Sequence, residues 1–177
     1  MSIGEPGLFP YAFLMEGQMR EEERLIDVSR KFAATLSLLF YTMAKEVVDA
    51  YGSEGEKVVK RAMRKFGKAR GKAIRKRVEA EGKDLSFKNL KKYYDIPLGL
   101  IHDREVVKAL KRDRYWREVY GCPLAKVWMG HRGERLGLLY CEQDAALIKG
   151  YNPKIKFSRK RNVLKGEGCC ETILALP

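Results

Sequence analysis

The residues able to make or break bonds crowd into one stretch, Cys122 to Pro153. It holds Cys122, His131, Cys141, Glu142 and Asp144, and closes on the turn-forming run Gly150-Tyr151-Asn152-Pro153. A thiol and an imidazole suggest a nucleophile with its base, which must come within hydrogen-bond reach, about 3 Å. Ala125 to Met129 and Leu136 to Cys141 flank His131-Arg132-Gly133-Glu134 and read as an antiparallel hairpin. In that hairpin His131 sits at the turn and Cys141 at the far end of the returning strand, roughly 16 Å away at the usual strand rise. The pair is too distant to react. Cys122 returns close to Cys141 at the open end, and Asp144 shares the face of Cys141 if the chain turns helical there. Cys141, Asp144 and Cys122 are therefore the expected catalytic set. A thiol beside a helix start and a basic surface should have a lowered pKa, the condition for a reactive thiolate. The plainer alternative is a buried cysteine packing as a small hydrophobe, with Asp144 capping a backbone amide.

The whole composition narrows the chemistry further. The 177 residues suit one domain, expected over 1–177 as an irregular arm (1–17), a helical half (18–120) and a β-hairpin half (121–177). A net charge of +13 favours anionic partners without saying which. The N-terminus lacks a basic leader, and the most apolar segment, Phe32 to Met43, falls short of the roughly twenty residues a membrane span needs. A cytoplasmic protein with no membrane partner is the expectation. Cysteines at 122, 141, 169 and 170 form no paired CxxC pattern, so reduced thiols and no metal site are expected. There is no GxGxxG, no HExxH, no nucleophilic serine elbow and no glycine-rich loop ending in Gly-Lys-Ser or Gly-Lys-Thr, so no cofactor is expected.

The elements that must position these groups begin with a helix over about 19–51. Its apolar residues Leu25, Val28, Phe32, Leu36, Leu39, Met43 and Val47 recur at helical spacing and mark the face expected to be buried. Gly52 should end it and Ser53 cap the next helix, with Glu56 completing a capping box. That second helix, roughly 54–80, carries a basic run opposite an apolar stripe of Val59, Ala62, Met63, Phe66, Ala73 and Ile74. Gly67 and Gly71 lie one turn apart and would admit another backbone closely. Arg70, beside the stripe, either snorkels to water or meets a carboxylate. A short helix opened by Ser86 over 85–94 is broken by Pro97 and Gly99, and a further helix is expected over 105–119 with Trp116 as its anchor. Segments 154–163 and 169–176 form a second hairpin. The fold class is α+β, N-terminal helices packed on a C-terminal antiparallel sheet of four strands between 125 and 176.

Several short runs, taken in order, resemble one family. Cys122-Pro123-Leu124-Ala125 followed by Trp128, then Gly137-x-x-Tyr140-Cys141-Glu142-x-Asp144, Gly150-Tyr151-Asn152-Pro153 and Gly166-Glu167-x-x-Cys170 are similar to the L-2-amino-thiazoline-4-carboxylic acid hydrolases. Gly67-x-x-Arg70-Gly71 resembles the glycine-arginine stretch of that family's helical half, so the likeness runs from about Tyr51 to the C-terminus. The sequence departs from the pattern at Glu167, where aspartate is expected, and in its doubled Cys169-Cys170. Its closing pattern also resembles the 4-vinyl-reductase-type small-ligand-binding domains, which implies helices packed on an antiparallel sheet. The resemblance implies hydrolytic opening of a small cyclic amidine-like ring bearing a carboxylate. In that reading Cys141 attacks or positions water, Asp144 moves the proton, and Arg70, Trp128 and Tyr151 bind the substrate. Two other functions compete: a non-catalytic small-molecule sensor on the same fold, and a nucleic-acid binder through the basic helix over 57–77. The second is disfavoured, because no aromatic residues interleave with the cations to stack bases. A homo-oligomer is compatible with each.

Overall fold

The computed structural model describes residues 9–96 and 98–177, with side chains from 20 onward except at 98 and 99. Of the expected irregular arm, residues 1–8 lie outside this range, as does the helix-breaking role of Pro97. The remainder of the arm, from Phe9, is helical. Helix α1 runs Phe9–Ala80 and is broken at Gly52, whose φ of +57° is open to glycine at little cost. The break reverses the chain: Ala44 and Val59 share one buried cluster with Leu136, though they would stand roughly 22 Å apart on a straight helix. The expected stop at Gly52 is thus a tight helical hairpin with arms 9–51 and 53–80.

The first arm buries a different face from the one its spacing marks. Leu25, Val28, Phe32, Leu39 and Met43 are exposed, Phe32 to 72%, while Ala33, Ser37 and Ala44 are buried. Small residues won because the helix that carries Trp128 packs close there. Ser37 turns its hydroxyl back onto the Ala33 carbonyl (2.6 Å), and its own carbonyl accepts the Trp128 indole N–H at 3.0 Å.

Two segments exchange the secondary structure expected of them. Residues 105–119 form not a helix but the hairpin β1 (Arg104–Leu110) and β2 (Arg114–Tyr120), closed by Lys111 N–H donating to Arg114 O at 2.8 Å. Conversely, 125–141 forms not a hairpin but the helices α4 (Pro123–Gly130) and α5 (Glu134–Tyr151). Pro123 sits in the first turn of α4, where its missing N–H costs nothing, and Glu134 faces the positive end of α5. Helix α2 (Phe87–Lys92) forms where expected, with the Ser86 hydroxyl accepting from Asn89 N–H, and a single turn, α3 (Leu98–Ile101), leads into β1. The second hairpin is present as β3 (Lys156–Arg161) and β4 (Cys170–Ala175).

The four strands form one antiparallel sheet in the order β1-β2-β4-β3. Helix α5 lies between one sheet face and the second arm of α1. Ile74, Val78, Phe87, Leu147, Ile148, Tyr151, Tyr115 and Leu174 fill this layer, and burying each large apolar side chain stabilises by roughly 1.5–3 kcal/mol. Glycines bring the two helices together: a Cβ on Gly67 would stand 2.1 Å from the Gln143 carbonyl oxygen, and one on Gly71 2.0 Å from that of Leu147. No helix among the described residues is long and apolar enough to cross a membrane.

Candidate functional site

The close approach at Gly67 and Gly71 sets Arg70 directly against α5. Its guanidinium spans from the first helix layer to the loop after α2, donating to both Asp95 oxygens (2.8 and 2.6 Å) and to Gln143 Oε1 (2.5 Å). Phe66 and Tyr94 lie 5.4 and 5.6 Å from it as aromatic faces. Burial disfavours its charge, but the hydrogen bonds and charge of Asp95 outweigh that and hold the cation. Arg70 is therefore occupied by protein partners. Gln143 passes the connection on, its Nε2 donating to Asp144 Oδ1 at 2.7 Å. Arg159 on β3 pairs with the other oxygen, Oδ2.

Asp144 stands at the wall of a cavity of about 600 Å³ enclosed by α5, the loop after α2 and the inner sheet face. Apolar surface comes from Leu90, Ile148, Phe157 and Leu174. Polar groups converge from the strands. The register pairs Thr172 of β4 with Arg117 of β2 on one side and with Arg159 of β3 on the other, so the three leave the sheet on the same face in one row. Glu105 on β1 completes this wall, accepting from Tyr115 Oη (2.8 Å), Lys91 Nζ (2.9 Å) and Arg117 Nη1 (3.0 Å). Burial works against its ionisation, yet these three donors prevail and bring its carboxyl down to about 2. Tyr94, also on the wall, is pushed up to about 12 by burial and by Asp144, so it stays a neutral donor.

The structure does bring the predicted thiols and carboxylate together. Cys141 lies one helical turn before Asp144 on α5, and Cys122 is the residue just before α4. Both pack against the cluster of Ala125, Trp128, Tyr140 and Leu164. The expected lowering of the Cys141 pKa does not occur. Burial first, then the neighbouring Asp144, push this thiol up to about 12, and Arg159 offsets only part of that. Cys122 is likewise pushed up to about 11, mainly by burial. Cys141 borders a separate depression beside Leu138, Ala145 and Arg159.

The predicted substrate-binding residues Arg70, Trp128 and Tyr151 do not line the cavity, and neither do Cys122 and Cys141. Trp128 is 1% exposed inside α4's packing, edge-on to Phe40 and tilted against Tyr140, and so does not share a pocket face with Cys141 as the hairpin required. Tyr151 is fully buried with its hydroxyl donating to Ser86 O at 2.9 Å. His131 stacks on Tyr41 at the end of α4, ring centres 4.9 Å apart. Among the described residues no group of three or more His, Cys, Asp or Glu side chains is placed to hold a metal ion. Sequence reasoning missed Arg117, Arg159, Thr172 and Glu105. The one signal for Arg117 and Glu105 was the β-branched and aromatic content of 106–120, which marks strands.

Comparison with known structures shows a shared fold with trafficking protein particle complex subunit 3 from Naegleria fowleri, a protein solved covalently bound to palmitic acid. The TM-score is 0.54 at 14% identity, covering 82% of this chain and 95% of that one. Comparison with curated proteins gives no match. The family model for L-2-amino-thiazoline-4-carboxylic acid hydrolase matches residues 29–174, which include both α1 arms' packing, the whole inner sheet wall and Asp144: the chain belongs to that family.

Proposed function

We propose that this chain hydrolyses a small cyclic amidine-like ring carrying a carboxylate, of the 2-amino-thiazoline-4-carboxylate kind, in the cavity beneath Asp144. The observation that carries the reading is Asp144 itself, a carboxylate on the wall of a largely apolar cavity, oriented from both sides by Gln143 and Arg159. An apolar pocket with a few placed polar groups is the usual make-up of a small-ligand site. Each Asp144 oxygen accepts one bond and keeps a lone pair for a proton.

Ring opening adds water across the amidine carbon. As water oxygen bonds to that carbon, its proton passes to Asp144. The carbon–heteroatom bond then breaks, its electron pair stays on the leaving heteroatom, and Asp144 returns the proton there. The net change is one water consumed. Water rather than Cys141 serves as nucleophile, because a thiol with a pKa of about 12 is ionised in only about one molecule in 10⁵ at neutral pH. Cys141 and Cys122 instead form the dense wall behind Asp144, which holds it towards the cavity.

A second reading is a binding domain without turnover. The apolar lining of Leu90, Ile148, Phe157 and Leu174 and the acyl group carried by the fold's palmitate-bound neighbour favour it. Asp144→Asn separates the two, since the amide keeps the shape but cannot take the proton. Turnover of 2-amino-thiazoline-4-carboxylate should fall by about 10²–10⁴-fold with the fold and ligand binding retained. A wild-type protein that binds the ring without opening it would establish the second reading instead.

A further inference from the structure

We propose that Arg117, Thr172 and Arg159 form a clamp for the carboxylate of a small ligand. The proposal rests on the cavity being the ligand site, as above, but on different observations. Direct register pairing aligns the three across β2, β4 and β3, so with strands about 4.8 Å apart two guanidinium stems rise roughly 10 Å from one another with a hydroxyl between. All three line the cavity. Long arginine side chains close that gap easily, and a planar carboxylate accepts a guanidinium fork on each oxygen.

Their hydrogen bonding is unfinished. Among the described residues Arg117 gives only Nη1 to an acceptor, Glu105. Arg159 gives Nη2 to Asp144, while its buried Nε has no partner among the described residues. The hydroxyl of Thr172, a residue 9% exposed, bonds to nothing among the described residues. Of these groups Arg159 Nε is the fully buried one, and a buried donor left unmade is costly and calls for a reason. An incoming acceptor supplies one.

The charges choose the acceptor. Asp95 is taken up by Arg70, which leaves Lys91, Arg117 and Arg159 facing Glu105 and Asp144. One positive charge is uncompensated there, and Lys92, exposed at the cavity rim, is screened by water and adds little to it. That balance suits one monoanion, whereas two flanking carboxylates would repel a phosphate dianion. Arg159 binds both Asp144 and the clamp, so a five-membered ring gripped by its carboxylate presents its other atoms to Asp144. The clamp thus acts as the positioning device for the reaction proposed above.

The test compares L-thiazolidine-4-carboxylate, a saturated ring without the amidine, with its carboxamide, by titration at millimolar concentration followed in amide NMR spectra. The carboxylate should bind and the carboxamide should bind about 10–100-fold more weakly, the loss expected for charged hydrogen bonds. Thr172→Val keeps the side-chain volume and removes only the hydroxyl, and should weaken the carboxylate by about 3–10-fold. Arg117→Gln should weaken it by about 10–100-fold, with the spectrum confirming the fold because Glu105 loses a partner. Equal binding of both probes, failure of the carboxylate to bind, or unchanged affinity in both variants overturns the clamp. Turnover with unchanged KM in both variants also overturns it while leaving the hydrolase reading intact. Carboxylate-selective binding without any ring opening has the reverse meaning.

Discussion

Gly71→Ala should destabilise this protein, although the same substitution in a helix usually helps. A Cβ at position 71 would lie 2.0 Å from the Leu147 carbonyl oxygen and 2.8 Å from the Tyr151 nitrogen, both backbone atoms. Ordinary carbon contacts are near 3.5 Å, so the second arm of α1 must retreat from α5 by at least about 1 Å. Helix propensity returns about 0.8–1 kcal/mol for replacing glycine by alanine. Overpacking costs about 1–3 kcal/mol where side chains can adjust, and backbone atoms adjust less. The net should therefore be about 2 kcal/mol of lost stability. Gly130 at the end of α4 is the internal comparison, since a Cβ there meets nothing within 4 Å. Gly130→Ala should be neutral or slightly stabilising. Urea unfolding followed by far-ultraviolet circular dichroism, with equal slopes for the three proteins, reads the difference directly. If Gly71→Ala unfolds at the same urea concentration as Gly130→Ala, the inferred closeness of α1 and α5 is wrong. The retreat also pulls Arg70 from Gln143, so a correct prediction brings weaker ligand binding with it.

Cys141→Ala should keep ring-opening activity within a few-fold while costing on the order of 1 kcal/mol of stability, as expected for trimming a buried side chain. A loss beyond a hundredfold in a folded variant would return Cys141 to the role of nucleophile. Glu105 predicts an acid-sensitive fold. Its carboxyl titrates near 2 when folded and about 4.3 in an unfolded chain, so its contribution is complete above the unfolded value and is lost as pH falls towards 2. Allowing for solvent screening, that contribution is on the order of 2 kcal/mol. Glu105→Gln should flatten stability against pH between about 4.5 and 2, and an unchanged slope there would show that Lys91, Tyr115 and Arg117 do not act as its partners.

The sequence by itself determined the α+β class, the helix break at Gly52, the Ser86-capped helix, the last β-hairpin and the close glycine contact of the second α1 arm. Each rests on a local cause: a positive φ that suits glycine, a cap two or three residues away, an uninterrupted helical period, or a missing Cβ. The sequence also singled out Cys141, Asp144 and Cys122 as neighbours, though through a hairpin that does not exist. Segments 105–119 and 125–141 exchanged roles because short apolar runs satisfy helical and strand periods alike, and the choice falls to what each run packs against. Val106, Val107, Tyr115, Trp116 and Val119 suited strands, while Pro123 after Cys122 already marked a helix start.

Tertiary structure alone decided which face of the first arm is buried. Periodicity identifies stripes, but only a neighbour's distance selects between large residues such as Phe32 and small ones such as Ala33 and Ser37. It alone decided the chemistry of the thiols too, since a pKa depends on the water and charge removed around the group, which here places Cys141 at about 12 rather than below its ordinary value. The row of Arg117, Thr172 and Arg159 comes from strands far apart in the chain, and no spacing encodes it. Strand register made them neighbours, and the helix laid above them by Gly67 and Gly71 brought Asp144 to the same cavity.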